Sequence, residues 1–113
     1  MKRSEIYLAR FPLGGTVGAK VRPALLLTGP VGPVPELLAA YISSIVPAPL
    51  LPTDLLLDPS VSEHESANLK AVSVIRLHKL ATIHLRDAFR RLGELSPKTM
   101  QEVDDKLRAL LTL

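Results

Sequence analysis

The chain has 113 residues, of which 47% are hydrophobic and 4% aromatic, and it contains neither cysteine nor tryptophan. This composition predicts one globular domain over 1–113 and excludes intrinsic disorder, disulfide bonds, thiolate metal sites and cysteine nucleophiles. The net charge of +3 permits an anionic partner without requiring one.

Charge is unevenly distributed along the chain. Residues 1–46 carry five basic and two acidic side chains, 54–65 carry only acidic ones, and 66–113 carry nine basic and five acidic ones. This pattern indicates either a solvated acidic loop between ordinary strands or an anion site where the two basic segments meet. No export signal or membrane span is predicted, because charged residues interrupt the N-terminal segment and prolines interrupt the uncharged stretch 37–53. We therefore expect a soluble, cytoplasmic protein.

Short apolar runs predict the strands, in chain order, at 5–11, 22–28, 37–43, 53–57 and 71–77. Glycine and proline predict irregular connections at 12–18, 29–35 and 45–52, and 60–69 is expected to be a polar loop. The stretch 82–93 mixes helical spacing with β-forming residues and glycine, so its structure stays open.

A helix is predicted near the C-terminus. Ser96 is suited to cap it and Pro97 to occupy its first position, where a missing N–H costs nothing. Its apolar stripe comprises Met100, Val103, Leu107, Leu110 and Leu111. Several short strands followed by one helix predict a small, strongly bent sheet or barrel with the helix packed on it.

The residues that could carry chemistry are few. His64, His78 and His84 lack metal-ligand spacing, so no metal site or other cofactor is predicted. Arg22 stands at the lip of an apolar strand, where an unpaired charge is costly to bury, and Pro23 favours an extended backbone at the arginine. Composition favours an ion pair with a glutamate at position 5 or 36, and a bound anion is the alternative.

Five sequence blocks, distributed over nearly the whole chain, carry a family resemblance. They are G-x-K-x-R-P-A-L at 18–25, Y-I-S-S at 41–44, S-V-I-R-L-H-K-L-A-T-I at 73–83, L-G-E-L-S-P at 92–97 and V-D at 103–104. In this order they resemble MazF/PemK-like toxins of type II toxin–antitoxin systems. The resemblance implies a mainly β fold with α, namely a small, strongly bent, barrel-like antiparallel sheet with a C-terminal α-helix, in a homodimer.

The resemblance also implies an activity and its residues. It implies an endoribonuclease that cuts single-stranded RNA without a metal, through attack of the 2′-OH to give a cyclic phosphate, and that a cognate antitoxin neutralises. The catalytic arginine of the family falls on Arg22 and its hydroxyl residue on Ser43. An arginine can donate paired hydrogen bonds to phosphate oxygens, as this chemistry needs. The implied RNA-binding or auxiliary catalytic residues are Lys20, Ser44, Arg76, His78 and Lys79, around one groove shared by Arg22 and Arg76.

Two questions stay open at the level of sequence. His78 stands where one branch of the family has an acid, and it either assists proton transfer or only contacts RNA or the barrel wall. The chain could instead be a non-nuclease relative of the same fold, either a CcdB-like gyrase inhibitor or a silent antitoxin-binding protein. The lack of tryptophan disfavours the gyrase inhibitor, and retention of Arg22 and Ser43 disfavours the silent relative.

Overall fold

A computed structural model describes residues 1–12 and 20–113, in which six strands form one antiparallel sheet. The strands are β1 (Glu5–Phe11), β2 (Lys20–Leu26), β3 (Glu36–Ser43), β4 (Asp54–Leu57), β5 (Ser73–His84) and β6 (Ala88–Glu94). Their order is β4-β5-β3-β2-β1-β6, so among the described residues β4 and β6 are edges and the sheet does not close into a barrel. The predicted mainly β fold with a C-terminal α-helix is confirmed.

The structure extends one predicted strand, places a helix in a predicted loop and resolves the stretch that the sequence left open. Strand β5 continues to His84 because 80–84 pairs with the first half of β3 after a bulge between the pairs Tyr41↔Arg76 and Ala40↔Leu80. The polar loop at 60–69 contains a 3₁₀ helix, Ser62–Ala67, and the ambiguous stretch ends in β6. The loop expected at 12–18 lies outside the described residues from position 13 onward.

The sheet buries apolar side chains on both faces. One cluster includes Ile6, Leu25 and Ile75, and it is covered by Met100 and Val103 of helix α1 (Pro97–Leu111). Ser96 caps this helix by accepting a hydrogen bond from the Thr99 N–H at 3.2 Å, as predicted. The end of the predicted apolar stripe does not join the core, because Leu110 and Leu111 are 37% and 51% exposed. The other cluster, which includes Phe11, Leu26 and Leu37, lies on the opposite face.

Gly93 in β6 allows a close approach between the sheet and the 3₁₀ helix. A Cβ atom at this position would lie 2.4 Å from the carbonyl oxygens of both Ser66 and Ala67. We expect Gly93→Ala to lower the free energy of unfolding by about 1–3 kcal/mol, because the backbone must shift to relieve the overlap. Urea unfolding measures this loss. Gly29→Ala is the matched control, since its nearest contact would be an ordinary 3.5 Å, and equal stability of the two variants would contradict the prediction.

An ion-pair network joins the N-terminal segment to β6. The buried Glu5 carboxylate accepts hydrogen bonds from Arg91 Nε at 2.6 Å and from the Lys2 N–H at 2.7 Å. Burial tends to raise the pKa of Glu5, but the hydrogen bonds from Arg91 and Lys2 outweigh burial and hold this pKa below its ordinary value. Glu94 completes the network through Lys2 Nζ at 3.2 Å and Arg91 Nη2 at 3.3 Å.

The Glu5 contacts predict that the stability of the fold falls at acidic pH. Because the folded-state pKa lies below the unfolded value near 4.5, the contribution of Glu5 is complete above that pH and is lost as pH falls through the folded-state pKa. Glu5→Gln should therefore destabilise the protein at pH 7 and flatten the acid dependence of its urea midpoint. The exposed Glu65 provides the control, and an equal pH dependence of Glu5→Gln and Glu65→Gln would contradict this assignment.

Candidate active site

A concave pocket of about 360 Å³ lies where β2 begins and β3 ends. Its apolar floor includes Leu8, Pro23 and Ile42. Its polar lining comprises Arg22, Ser44, Asn68, Lys70, Ser73 and Arg90, and none of the lining residues is acidic. An apolar floor with cations and hydroxyl groups around it is suited to an anion that carries an organic group.

Arg22 reaches this pocket from the start of β2, where it pairs with Ala9 of β1. Its guanidinium donates through Nη1 to the Val21 carbonyl oxygen at 3.0 Å and lies within ion-pair distance of no described carboxylate. The expected ion pair with Glu5 or Glu36 is wrong. Glu5 is held by Arg91, and Glu36 lies at the other end of β3 from the pocket. The residues at 13–19 include no acid, so the sequence supplies no further carboxylate there.

The two adjacent serines are placed differently. Ser43 is 8% exposed, and its hydroxyl oxygen accepts a hydrogen bond from the Ile45 N–H at 3.0 Å. Ser44 is exposed and lines the pocket with Arg22, whereas Ser43 is not among the lining residues. Ser44 is thus a residue of the pocket wall, and the Ser43 hydroxyl is engaged by the turn that carries Ser44. The catalytic role expected of Ser43 stays a prediction.

The other cations named from the sequence lie elsewhere. Arg76 pairs across the sheet with Tyr41 and donates through Nε to Asp54 Oδ1 at 2.9 Å. By the alternation along β2, Arg22 is on the same face of the sheet as Ala24, whose partner Tyr41 in β3 pairs in turn with Arg76. Arg76 is not among the residues that line the pocket, and the groove expected between Arg22 and Arg76 stays a prediction.

The bulge in β5 exposes His78 and Lys79. The Lys79 ammonium lies 5.8 Å from the centroid of the Tyr41 ring, a cation–π distance. His78 Nδ1 lies 2.9 Å from the Thr53 hydroxyl oxygen. Neither of these residues, nor the exposed Lys20, lines the pocket, and their expected roles in RNA binding or catalysis stay predictions.

Sequence reasoning missed two cations of the pocket, Lys70 and Arg90. Arg90 stands beside Arg91 in β6, and nothing in the local sequence separates the two. The pairing with β1 does, because Arg90 lies opposite Leu8 while Arg91 lies opposite Tyr7, on alternate faces of the sheet. The periodicity of β1 places Leu8 on one face, but only the register of β6 shows which arginine joins it.

The described residues offer no cluster of metal-binding side chains. No group of three histidine or acidic side chains is arranged to hold a metal ion within 1–12 and 20–113. His64 and His84 each accept a backbone N–H through Nδ1, from Asp58 at 2.9 Å and Arg86 at 3.0 Å. In the same part of the chain, no helix has the length and apolar character that crossing a bilayer requires.

Comparison with known proteins gives consistent matches over the whole chain. A family model described as PemK-like, MazF-like toxin of type II toxin-antitoxin system matches residues 2–111. Endoribonuclease MazF6 of Mycobacterium tuberculosis is 29% identical over 117 residues, which cover 100% of this chain and 98% of that protein. The solved structure of the Mycobacterium tuberculosis toxin MazF-mt6 has a TM-score of 0.73 at 23% identity, covering 96% of this chain and 97% of its own. A mycobacterial endoribonuclease in complex with its cognate antitoxin has a TM-score of 0.68 at 22% identity, covering 100% and 96%.

Proposed function

We propose that this chain, which belongs to the PemK-like, MazF-like toxins of type II toxin–antitoxin systems, is an endoribonuclease that cuts single-stranded RNA without a metal ion. The observation that carries the proposal is the pocket beside Arg22, whose lining has three cations, two serines and no acid. A phosphodiester fits this lining because it is anionic and carries a ribose that can contact the apolar floor. The curated relatives that match the full chain are endoribonucleases.

In the proposed reaction the ribose 2′-OH loses its proton and its oxygen bonds to the adjacent phosphorus. The bond from that phosphorus to the 5′-oxygen of the next nucleotide breaks, and the 5′-oxygen takes up a proton. Arg22 stabilises the charge that develops on the phosphate oxygens, since a guanidinium donates two parallel hydrogen bonds and stays protonated. Ser44 donates a further hydrogen bond from the pocket, and Ser43 positions it through the hydrogen bond to Ile45. The products are a 2′,3′-cyclic phosphate and a 5′-OH end.

Partners follow from family membership. One solved relative is an endoribonuclease in complex with its cognate antitoxin, and we extend this to a cognate antitoxin for the present chain. We also propose a homodimer in the cytoplasm that presents the pocket to messenger RNA. No feature of the described residues favours a gyrase inhibitor, and the chain has no tryptophan to support one.

The decisive experiment incubates the protein with a long single-stranded RNA in excess EDTA. We expect cuts at repeated short sequences, with 5′ ends that polynucleotide kinase labels without prior phosphatase treatment. Intact RNA at micromolar protein would contradict the nuclease, and 5′-phosphate ends would contradict 2′-OH attack. Replacing the 2′-OH by hydrogen at a mapped site is the control, since it should abolish that cut alone.

A further inference from the structure

Arg90 is a cation that the fold directs into the pocket. It lies opposite Leu8, which belongs to the pocket floor, and it is exposed. Its neighbour Arg91 contacts the carboxylates of Glu5 at 2.6 Å and Glu94 at 3.3 Å. Arg90 has no ion pair or hydrogen bond with any described residue, so its charge stabilises nothing within the described fold.

Lys70 adds a second uncommitted cation on the same pocket. It is exposed, follows the 3₁₀ helix Ser62–Ala67 and has no ion pair among the described residues. Placing Arg22, Lys70 and Arg90 around one concavity is unfavourable because like charges repel in the unliganded protein. The chain has 11 acidic residues, and none of them lines this pocket to offset that repulsion. An anion bound from solution would offset it.

We propose that Arg90, with Lys70, binds a backbone phosphate of the RNA next to the one cleaved, and thereby positions the strand against Arg22. This inference rests on the proposed nuclease function and adds positioning residues to it. RNA satisfies the pocket better than a protein carboxylate does, because its repeating phosphates supply an anion to Arg22 and to Arg90 at once. Its ribose also supplies an apolar surface for Leu8, Pro23 and Ile42.

A positioning role separates the effect on binding from the effect on chemistry. Arg90→Gln should raise KM about 10-fold and leave kcat within about 3-fold, because a contact present in both ground and transition states changes binding alone. It should also lower the slope of log KM against log salt by about 0.7, the value for one phosphate contact on a single strand. Lys70→Gln should change KM and the salt slope in the same direction.

Arg86→Gln is the matched control, because it removes the same charge from an exposed arginine that does not line the pocket. If Arg90→Gln and Arg86→Gln have equal KM values and equal salt slopes while wild type cuts RNA, the positioning role is overturned and the nuclease stands. A kcat loss larger than the KM change would also overturn it, because the residue would then act on the transition state.

A second measurement keeps the inference independent of cleavage. Binding of an uncleavable 2′-O-methyl oligoribonucleotide is followed by fluorescence anisotropy for wild type, Arg90→Gln and Arg86→Gln. About 10-fold weaker binding by Arg90→Gln alone supports the phosphate contact even if no RNA is cut. Equal RNA binding by the three proteins overturns the phosphate contact. It is overturned also if Arg90→Gln weakens binding of an acidic protein partner but not of the RNA.

Discussion

Replacing Arg22 by alanine is expected to lower the rate of RNA cleavage by about 10²–10³-fold, by analogy with loss of one preorganised donor at a developing oxyanion. The loss should appear in the single-turnover rate at saturating protein, where binding no longer limits the reaction. Stability should change by less than about 0.5 kcal/mol, because the Arg22 side chain has no described carboxylate partner to leave unpaired.

Arg22→Lys refines this result. Lysine keeps the positive charge but lacks the planar pair of donors, so it should restore only part of the lost rate. Arg86→Ala serves as the control for loss of one exposed arginine outside the pocket. A single-turnover rate for Arg22→Ala within about 3-fold of wild type would remove Arg22 from the proposed mechanism.

Local sequence was enough to place most of the fold. The alternation in 5–11 and the continuous apolar run after Arg22 reflect burial on one or both faces of a sheet, a property that each strand expresses by itself. The helix was equally local, because its cap, first-turn proline and apolar spacing lie within 96–111. The limits of β5 were not local, since its second half is stabilised by pairing with β3 across a bulge.

Some residues of the candidate site could be predicted from local sequence, and others required the pairing of the strands. Arg22 was identifiable from one short segment, because a charged side chain at the start of an apolar strand is costly to bury unless it has a partner. Arg90 was not, because its face depends on a β1–β6 register that contains two irregularities. Resemblance to a family supplied Ser43, but only the turn geometry shows that Ser43 accepts from Ile45 while Ser44 lines the pocket.

The partner of Arg76 also could not be predicted from the local sequence. In one branch of the family an acidic residue stands two positions after this arginine, but in the present chain His78 occupies that position. The structure supplies the carboxylate from another strand, since Asp54 of β4 lies opposite Arg76 in the β4–β5 ladder. The Asp54 side chain is 0% exposed and that of Arg76 only 18%, so this ion pair is largely removed from water.

Asp54→Ala is therefore expected to destabilise the fold by about 3–5 kcal/mol, the range for removing one partner of a buried ion pair. The loss has two sources. Arg76 would keep a largely buried charge without a carboxylate, and the Leu51 N–H would lose the Asp54 Oδ2 acceptor that it contacts at 2.8 Å. The midpoint of urea unfolding measures the change, with Asp105→Ala as the control because Asp105 is exposed on the helix.

The double variant Asp54→Leu, Arg76→Met tests the source of that loss. It removes both charges and keeps apolar volume at each site, so it should be more stable than Asp54→Ala although it carries two substitutions. The remaining deficit relative to wild type should be about 1–3 kcal/mol, the cost of the unsatisfied Leu51 N–H. A double variant no more stable than Asp54→Ala would show that the buried Arg76 charge is not what destabilises the single variant.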